Sequence, residues 1–196
     1  MPDIAAIILA AGSSRRFGAD KLLHPVGEMP LAARSLLPWL RVFDHVTVVA
    51  RADSGKLQNA VAQALGAERA ERIYWKLCAD ADLGMSASLI AGVAARRDAS
   101  GWLIGLADMP AVPDAVIAEV ASAIASDAPL AAPFFHEKRG HPVGFSARYL
   151  DDLLALDGDA GARKILERDA EKLHRIATDD PGILLDIDRP EDLRRL

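Results

Sequence analysis

The stretch IILAAGSSRRFGADKLL, from Ile7 to Leu23, places three cations (Arg15, Arg16 and Lys21) against one acid (Asp20), in a chain of 196 residues whose formal net charge is −5. The apolar run stops at Gly12, and the loop is longer than a simple turn needs. A glycine-bearing loop after a strand presents backbone N–H groups to oxyanions, and nearby cations neutralise phosphate charge. Farther along, Asp108 follows the apolar run WLIGLA, and Met109-Pro110 turns the chain immediately after it. A carboxylate in that position either caps the turn or holds a hard cation at the end of a strand. Asp186 and Asp188 stand two residues apart in DIDRPEDL, and the same segment also reads as a cap and proline start for a short helix. Cations around a glycine loop, with isolated carboxylates elsewhere, suit the chemistry of a small polyphosphate.

The elements that would position these groups alternate. Ile4–Leu9 reads as a buried strand, Met29–Val42 as a helix bent or shifted at Pro38, and His45–Ala50 as a second strand. A helix follows over Ser54–Leu65, with Gly66 able to cap it, then a weaker strand over Arg72–Leu77. Met85–Ala95 reads as a helix, Trp102–Ala107 as a strand, and Pro113–Ala125 as a helix with proline in its first turn. Continuous apolar strands alternating with helices indicate a mostly parallel sheet covered on both faces. Beyond this the rhythm changes. Leu130–Phe145 suggests a strand pair or an insertion, and helical segments follow at Ala147–Ala155 and Ala160–Ala170. Leu173–Ile176 and Ile183–Ile187 look like strands, with a last short helix from Pro190. The expected architecture is a single α/β domain, a three-layer α/β/α Rossmann-like fold over residues 1–196 with an elaborated C-terminal half.

Composition narrows the partners. The acidic balance argues against nucleic acid, whose binders usually carry a broad basic face. Cys78 is the only cysteine, so no intrachain disulfide forms, and a cytoplasmic setting is expected. Neither a signal peptide nor an uninterrupted bilayer-spanning segment is read in the sequence, so no membrane partner is expected. Two familiar phosphate loops fail. A Walker loop needs four residues between its glycines and Ser or Thr after lysine, but five separate Gly12 from Gly18 and Leu22 follows Lys21. A dinucleotide fingerprint needs Gly-x-Gly and an acid after the second strand, where Arg51 stands instead. A nicotinamide-dependent oxidoreductase is therefore disfavoured.

The loop resembles the signature of nucleotidyltransferases that activate small phosphorylated molecules: LAAG at Leu9–Gly12, RFG at Arg16–Gly18, Lys21, then LLHPVGEMPL to Leu31. DLGMSASL (Asp82–Leu89), LADMPAV (Leu106–Val112), RGHPVGF (Arg139–Phe145), GDAGAR (Gly158–Arg163) and DIDRPEDL (Asp186–Leu193) are similar to the molybdopterin cytidylyltransferase branch. That resemblance implies transfer of CMP from CTP to the phosphate of molybdopterin, the molybdenum cofactor, with release of pyrophosphate. It also implies that a molybdoenzyme or its chaperone receives the product. Ala10-Ala11 and the Gly-Met-Ser block favour cytidine over guanine within the family. Arg189, after Asp188, stands where threonine is usual.

By the same resemblance, Lys21 and Arg16 contact the triphosphate, and Asp108 and Asp188 hold Mg2+ (or Mn2+), with Asp186 in reserve. Lys21, Arg16 and Asp108 are the implied catalytic set. Nucleotide contacts fall to Leu9, Ala10, Ala11, Gly12, Ser13, Gly84 and Ser88, along with Arg16, Lys21 and Asp108. Arg139, His141 and Pro142 shape the acceptor pocket; the attacking phosphate is already ionised, so His141 need not act as a base. Asp159 reads equally as an N-cap or as part of a helix N-terminus facing the acceptor. His24, His45, His136 and His174 lack metal-ligand spacing, and Trp102, Phe134 and Phe135 read as core. Residues 1–110 would form the nucleotide half, and 111–196 the acceptor and metal-completing half. Other readings are guanylyl or other nucleotidyl transfer to the pterin or a sugar phosphate, or a non-catalytic protein that holds and delivers the finished cofactor.

Overall fold

Ile4–Leu9 folds as strand β1 and takes an interior place in a sheet, with β1 buried throughout its middle. Successive side chains alternate faces: Ala6 and Ile8 enter one hydrophobic cluster, Ala5 and Ile7 the other. A strand buried on both sides must be apolar on both, which explains the unbroken run in the sequence. The computed structural model describes residues 3–12, 17 and 20–196.

The remaining strands are β2 (Pro25–Val26), β3 (Met29–Pro30), β4 (Val46–Arg51), β5 (Ile73–Cys78), β6 (Gly101–Leu106), β7 (Leu130–Phe135), β8 (Lys138–Arg139), β9 (Val143–Ser146) and β10 (Leu173–Ala177). The helices are α1 (Leu31–Val42), α2 (Gly55–Leu65), α3 (Ala67–Ala70), α4 (Met85–Ala95), α5 (Asp114–Ala125), α6 (Leu150–Leu154) and α7 (Arg163–Arg168). Among the described residues, an eight-stranded sheet runs β10-β7-β9-β6-β1-β4-β5, with β8 added to β7. The pairings β1–β4, β1–β6, β4–β5 and β7–β10 are parallel, whereas β9 is antiparallel to both β6 and β7. Leu36 and Trp39 of α1, Leu57 and Val61 of α2, and Ile117 and Val120 of α5 pack on one face. Leu89 and Val93 of α4, Leu153 of α6, and Ile165 and Leu166 of α7 cover the other. The fold is the single-domain α/β arrangement with a mostly parallel sheet that the pattern predicts. No described helix is long and apolar enough to cross a membrane.

Three segments depart from expectation. Met29 does not begin a helix: Met29–Pro30 pairs antiparallel with Pro25–Val26, and α1 starts at Leu31. Pro30 disfavours helical backbone at the residue before it, so Met29 stays extended. The helix then runs without interruption through Pro38. Ile183–Ile187 is not a strand, although Ile183, Leu185 and Ile187 are buried alternately. This segment forms no ladder with any described strand of the sheet. Its backbone makes single bonds to loops, from His141 N–H to the Ile183 carbonyl and from Ile187 N–H to the Asp108 carbonyl, each 3.0 Å. The helix read over Ala160–Ala170 contracts to Arg163–Arg168, because Gly161 has φ of 53° and breaks the first turn. Trp102 and Phe134 are core, as read from sequence, whereas Phe135, at the end of β7, is only half-buried.

Asp169 ties α7 to its surroundings, accepting from Lys172 Nζ at 2.7 Å and Arg168 Nη2 at 2.6 Å, while Arg168 also pairs with Asp152 of α6. These hydrogen bonds, Lys172's first, lower the Asp169 pKa from 3.8 to about 2. A carboxylate whose folded pKa is depressed stabilises the fold above its unfolded pKa and loses that contribution as pH falls through the folded one. Melting temperatures of the wild type should therefore drop more steeply than those of Asp169→Asn between about pH 4 and about pH 2. Parallel acid melting curves would remove this ion cluster from the stability of the α6–α7 region.

Candidate active site

Two backbone bonds carry the parallel ladder past the ends of β1 and β6. Ala10 N–H donates to the Val49 carbonyl at 2.7 Å, and Ala107 N–H donates to the Leu9 carbonyl at 3.0 Å. Leu9–Gly12 and Asp108 are thereby held side by side at the carboxyl ends of the strands, where open α/β sheets bind ligands. A cavity of about 640 Å³ opens there. Leu9, Ala10, Ala11, Gly12, Lys21, Gly84, Ser88, Asp108 and Asp188 all line it. Ser13 and Arg16, also predicted for this site, lie outside the described residues, as does Arg15.

The charged end of the cavity is built from three distant parts of the chain. Lys21 Nζ donates to Asp108 Oδ2 at 2.7 Å and to Asp188 Oδ1 at 3.1 Å. The Lys21 side chain is 9% exposed, against 23% for Asp108 and 41% for Asp188. Burial by itself would lower the Lys21 pKa; the charge and hydrogen bond of Asp108, then those of Asp188, outweigh it and hold the ammonium above its ordinary value. Asp108 is not capping its turn: Oδ2 is on Lys21, and Oδ1 is buried with no hydrogen-bond partner among the described residues. Nor does Asp188 cap the last helical turn. Asp192 does so, accepting from the N–H groups of Asp188 and Arg189 at 3.0 and 2.8 Å. This fixes the backbone that carries the Asp188 carboxylate, and Arg189 in place of threonine leaves that arrangement intact.

The opposite wall is the start of α4. Gly84 has φ of 113°, and a Cβ there would lie 2.8 Å from the Gly158 carbonyl oxygen, so glycine is required for the close approach of residues 157–159. Met85 N–H donates to Asp159 Oδ1 at 3.1 Å, and Ser86 Oγ donates to the Asp157 carbonyl at 3.0 Å. Asp159 is thus an N-cap, but of α4, some seventy residues earlier, rather than of its own segment. Sequence spacing carries no signal for this. The same holds for Asp82, which lines the cavity and is paired with Arg51 at 2.9 Å. Ser88 is buried and lines the cavity, whereas Ser86 serves the loop contact.

A smaller cavity of about 170 Å³ shares Leu106 with the first and contains Arg139, Gly140, His141 and Asp186. Pro142 is buried and lines neither cavity. Burial holds the His141 pKa below its ordinary value, with the Ile104 carbonyl and the Asp108 charge opposing only in part, so the ring is neutral near pH 7. Its Nδ1 is buried without a partner among the described residues. Asp186 and Asp188 are parted: one lines the smaller cavity, the other the larger.

Among the described residues no group of three or more His, Cys, Asp or Glu side chains converges on one point. Asp108 and Asp188, however, already share one cationic group between them, and their oxygens are hard donors. The pair fits a Mg2+ or Mn2+ ion that completes its shell with phosphate oxygens and water.

Residues 6–175 match the model of the MobA-like NTP transferase domain. The chain belongs to this family. It is 33% identical over 196 residues to the purine catabolism protein PucB of Bacillus subtilis (strain 168), covering 97% of this chain and 94% of that protein. Among solved structures, the homologue of Mycobacterium tuberculosis Rv0371c from Mycobacterium sp. strain JC1 superposes with a TM-score of 0.81 at 25% identity, covering 98% of this chain and 93% of that one. The manganese complex of Rv0371c from Mycobacterium tuberculosis H37Rv superposes with a TM-score of 0.77 at 23% identity, covering 99% and 97%. Membership of this family makes the chain a nucleotidyltransferase-type enzyme, and the solved structures share its fold.

Proposed function

We propose that this MobA-like transferase joins CMP from CTP to the phosphate of molybdopterin and releases pyrophosphate. The observation that carries the reading is the convergence of Lys21, Asp108 and Asp188 at one end of a nucleotide-sized cavity floored by Leu9–Gly12. Transfer between two polyanions needs neutralisation and alignment above all. A Mg2+ or Mn2+ ion on Asp108 and Asp188 would supply neutralisation at the reacting phosphates; the manganese complex of the Rv0371c fold relative supports a divalent metal. Lys21, with Arg16, would hold the triphosphate and the departing pyrophosphate. The backbone of Ala10–Gly12 would lie along the nucleoside, closed over by Gly84–Ser88, with Ser13 a further nucleotide contact. Arg139 and neutral His141, backed by Pro142, would line the acceptor side, and the ionised acceptor phosphate needs no base. Residues 1–110 would thus carry the nucleotide, and 111–196 the acceptor and the second carboxylate.

The test is to supply Mg2+, molybdenum cofactor and each triphosphate, and to identify the dinucleotide and pyrophosphate formed. The expected product is the cytosine dinucleotide, with CTP favoured over GTP by a wide margin in competition. Equal use of the two would overturn the cytidylyl assignment and leave nucleotidyl transfer standing. Tight binding of the finished dinucleotide, with no pyrophosphate from any triphosphate, would instead favour a cofactor-holding protein.

A further inference from the structure

The two carboxylates that fit a divalent ion are already engaged by a cation from the chain itself. Lys21 Nζ holds Asp108 Oδ2 and Asp188 Oδ1, at 2.7 and 3.1 Å. The other Asp108 oxygen is buried, so the exposure that this side chain retains lies elsewhere than on that atom. An ion entering from the large cavity therefore meets, on Asp108, the oxygen that Lys21 holds, and beside it the Asp188 carboxylate that Lys21 also engages. Divalent magnesium sits about 2.0–2.1 Å from its oxygen ligands. At that distance from the same two atoms it would crowd the ammonium and repel it. One pair of oxygens does not serve both cations at once.

We propose that Lys21 competes with the divalent metal for the Asp108–Asp188 pair and so makes metal entry depend on the triphosphate. The inference rests on the metal and nucleotide roles given above. A triphosphate draws Lys21 onto its own oxygens, lifts its hold on the two carboxylates, and adds phosphate ligands to the ion. Metal bound alone must instead displace a buried lysine from both carboxylates without the phosphate oxygens that a triphosphate offers it. Because coupling between two ligands is reciprocal, a metal that needs the nucleotide also tightens the nucleotide. Lys21 is then a positioning residue for the metal in addition to a contact for the phosphates.

The experiment reads manganese binding by electron paramagnetic resonance, using the full chain without nucleotide or acceptor. Lys21→Met keeps an unbranched side chain and removes the charge. It should bind Mn2+ at least about fivefold more tightly than the wild type, the lower end of ordinary coupling factors. Adding Asp188→Asn to Lys21→Met should take that gain away. A second measurement needs only the wild type. Acetylation of Lys21, followed by mass spectrometry, should be slow without metal and should accelerate under saturating Mn2+ alone, relative to the other lysines. Equal or weaker Mn2+ binding by Lys21→Met, or an unchanged Lys21 labelling rate with Mn2+ bound, would overturn the competition. Failure of cytidylyl transfer alongside the expected manganese result would cost the substrate assignment and leave this inference standing. If neither protein binds Mn2+, the metal reading falls and the competition with it.

Discussion

Asp108→Asn should slow nucleotidyl transfer by roughly two to three orders of magnitude, the usual consequence of losing one electrostatic contact to the charge that develops in a transition state. The amide keeps the shape of the side chain but loses the charge that both Lys21 and a divalent ion use. Melting temperature should change little. Asp108 Oδ1 is buried without a partner among the described residues, so neutralising the group removes a desolvation cost as well as an attraction. Lys21 also retains Asp188 at 3.1 Å. Asp188→Asn should be milder, because its side chain is 41% exposed against 23% for Asp108, and solvent screens the charge that is lost. Magnesium-dependent turnover and thermal melting of the two variants, measured side by side, check this order. A fully active Asp108→Asn would end the metal assignment, and an early-melting but fully active one would return Asp108 to the turn.

Gly105→Ala should couple stability to activity. A Cβ at Gly105 would lie 2.1 Å from Trp39 Cζ2 and 2.8 Å from Cη2. Trp39 is 2% exposed, and its ring stacks at 6.2 Å from Phe43, so it has nowhere to turn. Overpacking of this kind typically costs about 1–3 kcal/mol. At about 2–4 °C per kcal/mol for a domain of this size, melting should fall by roughly 2–12 °C. The strain acts on β6, and Asp108 follows that strand by two residues. A misplacement of about 1 Å at reacting groups can cost on the order of a hundredfold in rate. Turnover should therefore fall even at temperatures where the variant is fully folded. Shrinking the ring with Trp39→Leu in the same chain should recover part of both losses, which a double-mutant cycle would read as coupling between the two sites. Additive losses would show that α1 and β6 do not transmit the clash.

Local pattern was sufficient for β1 and α4, whose observed limits, Ile4–Leu9 and Met85–Ala95, coincide with those read from the sequence. Burial on both faces leaves a strand no polar option, and a helix bounded by glycine on one side has a sharp start. Leu9–Gly12, Lys21 and Asp108 were equally legible as members of one site, and they do line one cavity, because a glycine-bearing loop and a turn after adjacent parallel strands both fall at the carboxyl ends of the sheet. Where the chain is extended but unpaired, pattern misleads. Ile183, Leu185 and Ile187 alternate like a strand, yet Ile183 and Ile187 bond to two separate loops and Leu185 bonds back to Gly182.

What only tertiary structure decided is which of these groups meet. Lys21 finds Asp108 and Asp188 across 87 and 167 residues of sequence, and Arg51 finds Asp82 across 31. Asp159, which reads as a cap for the segment around it, caps α4 instead, because Gly84 allows the two backbones to approach. A residue's type follows from the chemistry it performs and is written locally. Its partner follows from strand order and from the few close contacts that glycine permits, and these exist only once the sheet has assembled.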